Sequence, residues 1–189
     1  METKRKYVNL VITGNPGVGK HTTAELILKQ NSSYEMIDIN KFAIDEGFAE
    51  KLENGFEIDT RKLKDEIKGI ISDRSLIVGH LAPYVIDEID VDLVIVLRKN
   101  PYDLIEVYKK RDYQDSKIKQ NTGSEILGVI VNDSIQSFGK EKTFEINTTD
   151  RSPEDVVKII NEIIQKKNNG EIIDWLELIK KKNDFNKFF

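Results

Sequence analysis

The sequence contains no cysteine. That excludes a disulfide framework and any cysteine-ligated metal site. It has no apolar run near the roughly 18 residues that a bilayer-spanning helix requires. The opening Met1-Glu2-Thr3-Lys4-Arg5-Lys6 lacks the apolar core of a signal peptide. No membrane partner is therefore expected, and a cytoplasmic location is. There is no internal repeat and no low-complexity linker. Positive charge is not in excess: Lys and Arg total 29 against 33 Asp and Glu, for a formal net charge of −4. Such a chain is not a generic nucleic-acid binder, and direct nucleic-acid binding is not expected. What remains is a globular composition, 39% hydrophobic and 33% charged over 189 residues. That length suits one compact domain with a two-sided core.

The chain is organised around Gly14-Asn15-Pro16-Gly17-Val18-Gly19-Lys20-His21-Thr22-Thr23. Before it runs the β-branched stretch Tyr7 to Thr13, and after it the helix formers Ala24 to Gln30. Strand, glycine-rich turn and helix form the context that turns G-x-x-x-x-G-K into a phosphate site. The glycines let backbone N–H groups point inward, and the helix adds its positive end. Lys20 then meets the outer phosphates as a compact cation. Asn15, Gly17, Val18, Gly19, Lys20, His21 and Thr22 are the candidate nucleotide-binding residues. The residue after the lysine is usually Ser or Thr, whose hydroxyl ligates magnesium. Here it is His21, a poor partner for that hard cation. His21 is expected to point away, or to touch a phosphate or base. Thr22 becomes the candidate magnesium ligand.

The rest alternates strand and helix. Strands are expected at Tyr7–Thr13, Glu35–Ile39, Ser75–Gly79, Asp92–Leu97 and Thr143–Asn147. Helices are expected from His21 to Gln30, from Asn40 before a loop reaching Asn54, and from Asp59-Thr60 to Ser72. Further helices are expected from Asn100-Pro101 to Lys110-Arg111, through Glu125 to Ser137, and from Ser152-Pro153 onward. Asn100, Asp59 and Ser152 are the capping residues. The alternation predicts a parallel sheet with right-handed crossovers. Lys20, His80, Arg98 and Arg111 fall at carboxyl ends of strands or on a loop, the ligand edge of such sheets.

The pattern G-x-P-G-x-G-K-x-T resembles the loop of adenylate kinases. Further blocks follow in order: Gly79-His80-Leu81, Val91 to Arg98, Lys110-Arg111-Asp112-Tyr113, Asn121 with Glu125-Ile126-Leu127, and Asn147 to Glu154. Together, over residues 7 to 165, they resemble the archaeal and eukaryotic adenylate kinases of the isoenzyme-six type, which are also small-subunit ribosome assembly factors. The resemblance implies an α/β, three-layer P-loop NTPase fold with a central parallel sheet, of nucleoside-monophosphate kinase type. The kinase domain would span residues 1–168, with an acceptor region at 38–60 and a short lid at 110–120. Residues 169–189 would form a helical tail. ATP and Mg²⁺ are the implied cofactors, the metal held mainly by phosphates and water, and AMP or another nucleoside monophosphate is the acceptor. Arg111 matches the lid arginine that contacts ATP, His80 the histidine of its motif, and Arg151 a contact near the adenine. Lys20, Arg111, His80 and Arg98 are the candidate catalytic residues.

Two positions depart from the family. Val78 stands where a carboxylate usually supports the metal, leaving Asp38 and Asp59 as candidate substitutes. Asp112 stands where glycine usually follows the lid arginine. The expected function is ATP:AMP phosphotransfer with slow ATPase activity, in small-subunit rRNA maturation with a small-subunit ribosomal protein as partner. The alternatives are an ATP-driven assembly factor with vestigial kinase activity, or a small-molecule kinase of the shikimate or gluconate type. In the tail, Ile172, Trp175, Leu176 and Ile179 are expected to share one helical face. It serves either as a docking helix over the core or as a partner-binding arm.

Overall fold

The structure, a computed structural model, describes residues 8–52 and 55–189. In chain order the elements are β1 (Leu10–Thr13), α1 (Lys20–Gln30), β2 (Glu35–Asp38) and α2 (Ile39–Asp45). Then come β3 (Ala49–Leu52), β4 (Gly55–Ile58), α3 (Thr60–Lys68), β5 (Ser75–Val78) and α4 (Ala82–Val85). After a 3₁₀ turn at Glu88–Asp90 follow β6 (Leu93–Arg98), α5 (Pro101–Lys110), α6 (Asp115–Leu127), α7 (Val129–Phe138) and β7 (Thr143–Asn147). The chain ends with α8 (Pro153–Ile164), α9 (Trp175–Lys182) and α10 (Phe185–Phe188). Among the described residues, no helix is long and apolar enough to cross a membrane.

The five-stranded sheet has the order β2-β5-β1-β6-β7, and every pairing in it is parallel. β1 lies in the middle, with Ile12 opposite Val78 on one side and Ile95 on the other. Alternate residues divide the core in two. Leu10, Ile12, Leu76, Val78, Ile95 and Leu97 pack toward α1, α5 and α8. Val11, Ile77, Val94 and Val96 pack toward α2, α3, α4 and α7. Strands covered on both faces need apolar residues on both, which is why β5 and β6 read as unbroken apolar runs. This is the expected three-layer P-loop architecture with its central parallel sheet.

The caps fall where side-chain chemistry puts them. Asp59 accepts from the Arg61 and Lys62 amides, Asn100 from Tyr102, and Ser152 from Asp155. Other expectations need correction. The stretch read as helix and loop, Asn40 to Asn54, contains only a short α2 and leads into an antiparallel hairpin, β3 against β4. Residues 53 and 54 lie outside those described. The single helix expected through Glu125 is two helices, because Gly128 takes a left-handed conformation (φ 64, ψ 33) that ends α6 and starts α7.

The tail also differs from its expected form. Its helix begins only at Trp175, and Ile172 is 99% exposed. Trp175, Ile179 and Phe188 are instead buried in the same core as β1 and α8. Glu171 makes a bridge to Glu145 of β7, and the Tyr102 hydroxyl donates to Asp184 at 2.6 Å. Of the two expected roles, the docking helix over the core is the one the packing shows, and the segment read alternatively as a partner arm is part of the domain's own core.

Candidate functional site

The glycine loop turns from β1 into α1 and is tied down from three sides. The Tyr108 hydroxyl, from α5, donates to the Pro16 carbonyl at 2.7 Å. The Thr148 hydroxyl, after β7, donates to the Val18 carbonyl at 3.1 Å. The Asn15 amide nitrogen donates to Glu125 of α6 at 2.7 Å. Gly14 cannot be anything larger. It has φ 132, and a Cβ there would collide with the Leu97 carbonyl oxygen.

Lys20 is buried at the start of α1, and its Nζ donates to the carbonyls of Gly14 at 2.9 Å and Asn15 at 3.0 Å. Burial lowers its pKa from 10.5 to about 8, and the Arg111 charge lowers it further, while Glu125 and Asp38 oppose the shift. Its ammonium is thus held at the floor of a cleft of about 1110 Å³. Asn15, Gly17, Gly19, His21 and Thr22 line that cleft beside it, with His80 and Arg111. The His80 imidazole is mostly buried, and burial together with the Lys20 charge lowers its pKa to about 4. It is therefore neutral at pH 7. On the far side Asn40, Ile44, Ile58, Thr60, Leu81 and Tyr84 form a mixed wall, so the hairpin and α2 bound the cleft. A smaller recess of about 140 Å³ opens across the loop, lined by Val18, Thr22, Lys99, Thr148 and Arg151.

The expected site residues therefore gather on the two sides of the loop, with one exception. Arg98 does not line the cleft. It ends β6, is 3% exposed, and is clamped by Glu125 (Nε to Oε1, 2.8 Å) and Glu145. A guanidinium so enclosed is a structural counter-charge: Arg98 stands at the carboxyl end of β6, as expected, but does not line the cleft as a catalytic cation would. Arg151 reaches the recess while paired with Glu171 at 2.6 Å.

His21 neither points away nor stands free. Its Nε2 lies 2.8 Å from the Asp38 carboxylate, which also caps α2 through the Asn40 and Lys41 amides. Asp38 is thus engaged twice, and Asp59 is a helix cap. Val78, in the place of the missing carboxylate, is fully buried among apolar neighbours. Among the described residues, no group of three or more His, Asp or Glu is arranged to hold a metal. Among the described residues, both candidate substitute carboxylates are already engaged, Asp38 by His21 and the α2 amides and Asp59 by the α3 amides. Thr22 lines both the cleft and the recess.

Asp112 follows Arg111 with φ 54. The left-handed turn explains why glycine suits this position, and aspartate is among the few other residues that tolerate it. Asp112→Gly should raise stability by about 0.5–1 kcal/mol if the strain outweighs the added chain entropy. Thermal unfolding of the two proteins checks this, and a lower midpoint for the glycine variant would show that the turn is not strained. The turn after α5 leans on the loop's support as well. Tyr113 stacks on Tyr108 at 5.4 Å with rings 7° from parallel, and Lys117 lies 4.5 Å above Tyr113.

The pKa of Lys20 has a measurable consequence. A phosphate favours the ammonium, so a phosphate ligand raises that pKa and binding takes up protons above pH 8. Calorimetric titration with ATP in two buffers of different ionisation enthalpy should show uptake at pH 9 and little at pH 7. Equal, buffer-independent heats at pH 9 would contradict it. The stability sign follows from the same shift. Between about pH 8 and 10.5 the unfolded chain holds the proton that the folded chain has released. The contribution of Lys20 to stability therefore rises with pH across that window.

A buried cation at the floor of a glycine loop, a second cation on the opposite turn, and a parallel sheet beneath define a P-loop protein of nucleoside-monophosphate kinase architecture. A family model described as an AAA domain matches residues 10–128. Archaeal proteins described as "Putative adenylate kinase" match almost the whole chain. The one from Thermococcus kodakarensis is 33% identical over 177 residues, covering 89% of this chain and 93% of that protein. The one from Saccharolobus solfataricus is 35% identical over 170 residues, covering 88% and 87%. Among solved structures, thymidylate kinase from Candida albicans shares the fold, with a TM-score of 0.54 at 15% identity over 89% of this chain and 95% of that one. The chain belongs to the AAA-domain family and to the family of these archaeal proteins.

Two residues of the site escaped the sequence reading in any functional sense. Tyr108 and Glu125 hold the loop, yet each sits in a helix where its type alone suggests an interface or a surface. A Glu amid the apolar Ile126 and Ile118 was the available signal for the second.

Proposed function

We propose that the protein is an adenylate kinase, converting ATP and AMP to two ADP, with slow ATP hydrolysis when no acceptor is bound. The observation that carries this reading is the pairing of Lys20 and Arg111 across one cleft, with room beyond them for an acceptor against Ile44 and Ile58. Phosphoryl transfer asks the protein for positioning and for dispersed positive charge, and little else. The loop amides and Lys20 hold the donor phosphates. The recess lined by Lys99, Thr148 and Arg151 takes the donor nucleoside. Arg111 meets the moving phosphoryl group, and neutral His80 accepts or donates a hydrogen bond to a phosphate or water. Magnesium, where bound with the nucleotide, would offset the charge of its phosphates. The names of the archaeal relatives support adenine nucleotides as substrates.

A coupled assay with ATP and a panel of nucleoside monophosphates tests the reading, with acceptor-free hydrolysis measured alongside. AMP should be the preferred acceptor. Hydrolysis unaffected by any monophosphate would sink the kinase assignment. Within this mechanism Arg111→Ala should lower kcat about 100-fold while changing ATP affinity much less, since its contact strengthens as charge develops in transfer. An unchanged kcat would remove Arg111 from the machinery.

A second reading is favoured by one observation. The apolar Val78 and the engaged Asp38 leave metal organisation weak, which suits a slow ATP-driven assembly factor with vestigial kinase activity. The resemblance to the isoenzyme-six kinases extends the proposal to small-subunit rRNA maturation, with a small-subunit ribosomal protein as partner. Co-sedimentation with precursor small subunits, sensitive to ATP, tests that extension, and its absence at every nucleotide state would remove it.

A further inference from the structure

Glu125 is fully buried on α6 and does not line the cleft. Its carboxylate joins elements that are far apart in sequence. Oε2 accepts from Asn15 Nδ2 of the loop at 2.7 Å. Oε1 accepts from Arg98 Nε at 2.8 Å, from the Lys99 amide at 3.1 Å, and from the Trp175 indole at 3.0 Å. Arg98 is already compensated by Glu145 and by the Glu125 carbonyl at 2.7 Å. A carboxylate needed only to neutralise Arg98 would have no use for Asn15 or for Trp175. Asn15 in turn offers its own carbonyl to Lys20 Nζ at 3.0 Å. Hydrogen bonds joined through Asn15, by its side-chain amide to Glu125 and its backbone carbonyl to Lys20, thus connect the tail helix through α6 to the loop and its cation. Buried, fully satisfied networks of this kind fix geometry.

We propose that Glu125 is a positioning residue for phosphoryl transfer: it fixes the Asn15 end of the phosphate loop, and the C-terminal helix, through the Trp175 indole, fixes Glu125. The proposal rests on the reading of the cleft as a phosphoryl-transfer site and gives the tail a share in that site's geometry.

Trp175 is the sole tryptophan, so its emission reports on this run of contacts directly. ATP is titrated into the full chain with calorimetry and tryptophan emission followed in parallel. Emission should change with the calorimetric midpoint, and Asn15→Ala should abolish the emission change. Glu125→Gln keeps the side chain's shape and should lower kcat about tenfold to 100-fold, the loss expected for one charged hydrogen bond. Its effect should be non-additive with Asn15→Ala, as for residues in contact. Trp175→Phe, which keeps a ring and loses the donor, should lower kcat in the same direction by a smaller factor.

A pH profile separates positioning from mere packing. Lys20 faces Arg111, His80, Asp38 and Glu125. Removing the Glu125 charge leaves Arg111 less opposed, so the alkaline limb of kcat/KM should move to lower pH. A Glu125→Gln enzyme with the parent kcat and an unmoved limb overturns the proposal. Where that variant does not fold, the parent titration decides, and flat emission at calorimetrically saturating ATP overturns it. No ATP binding by calorimetry would bring down the reading of the cleft itself, and the proposal with it.

Discussion

Lys20→Met should lower phosphoryl transfer by a factor on the order of 10³ while leaving the fold intact. The two halves of that expectation come from different physics. In transfer, negative charge spreads over the moving group, and a desolvated ammonium aimed at it is worth far more than one in water. In folding, the same ammonium is a burden. It is buried, its pKa is pulled to about 8, and its partners are the Gly14 and Asn15 carbonyls rather than a carboxylate. Methionine fills a similar space without the charge, so the melting temperature should stay level or rise. Activity assays and thermal unfolding on the same preparation check both halves. A variant with the parent rate would end the phosphate-site reading, and a variant that unfolds would show that the ammonium's hydrogen bonds hold the loop. Gly14→Ala would not separate the two, because its Cβ would strike the Leu97 carbonyl and distort loop and sheet together.

How much of this was legible in the sequence depends on how local the cause is. The loop, the caps at Asp59, Asn100 and Ser152, and the buried strands β5 and β6 are set by neighbours in the chain, and each stands where the residues put it. The hairpin was missed because Ala49–Leu52 carries weak strand formers, although the dipeptide Asn54-Gly55 is a hairpin signal. The break at Gly128 hides inside a stretch that is helical on both sides, so only the glycine marks it. Arg98 and Glu125 were beyond local reading. Arginine at a strand end and glutamate in a helix are ordinary surface residues. Their burial follows from partners 110, 50 and 27 positions away in Asn15, Trp175 and each other. His21 was legible as an oddity, but its partner Asp38 arrives from β2, which only the sheet order brings beside the loop.

Truncation after Gly170 should leave a chain that fails to fold or melts far below the parent. Trp175 is 9% exposed, Ile179 0% and Phe188 1%, and all three belong to the core that also holds β1 and α8. Trp175→Ala alone should cost about 3–5 kcal/mol. At about 2–4 °C per kcal/mol for a chain of this size, the midpoint should fall by about 10 °C. The cost is more than packing, because Trp175 supplies one of the donors to the buried Glu125 carboxylate, and an under-satisfied buried acceptor carries its own penalty. Ile172→Ser is the contrasting case. Ile172 is 99% exposed, so its loss should change stability by no more than about 0.5 kcal/mol. Thermal unfolding of the three proteins separates a docked helix from an appended arm. A truncated chain that keeps the parent midpoint would mean that the tail contributes nothing to the core, and its aromatic residues would then be free for a partner.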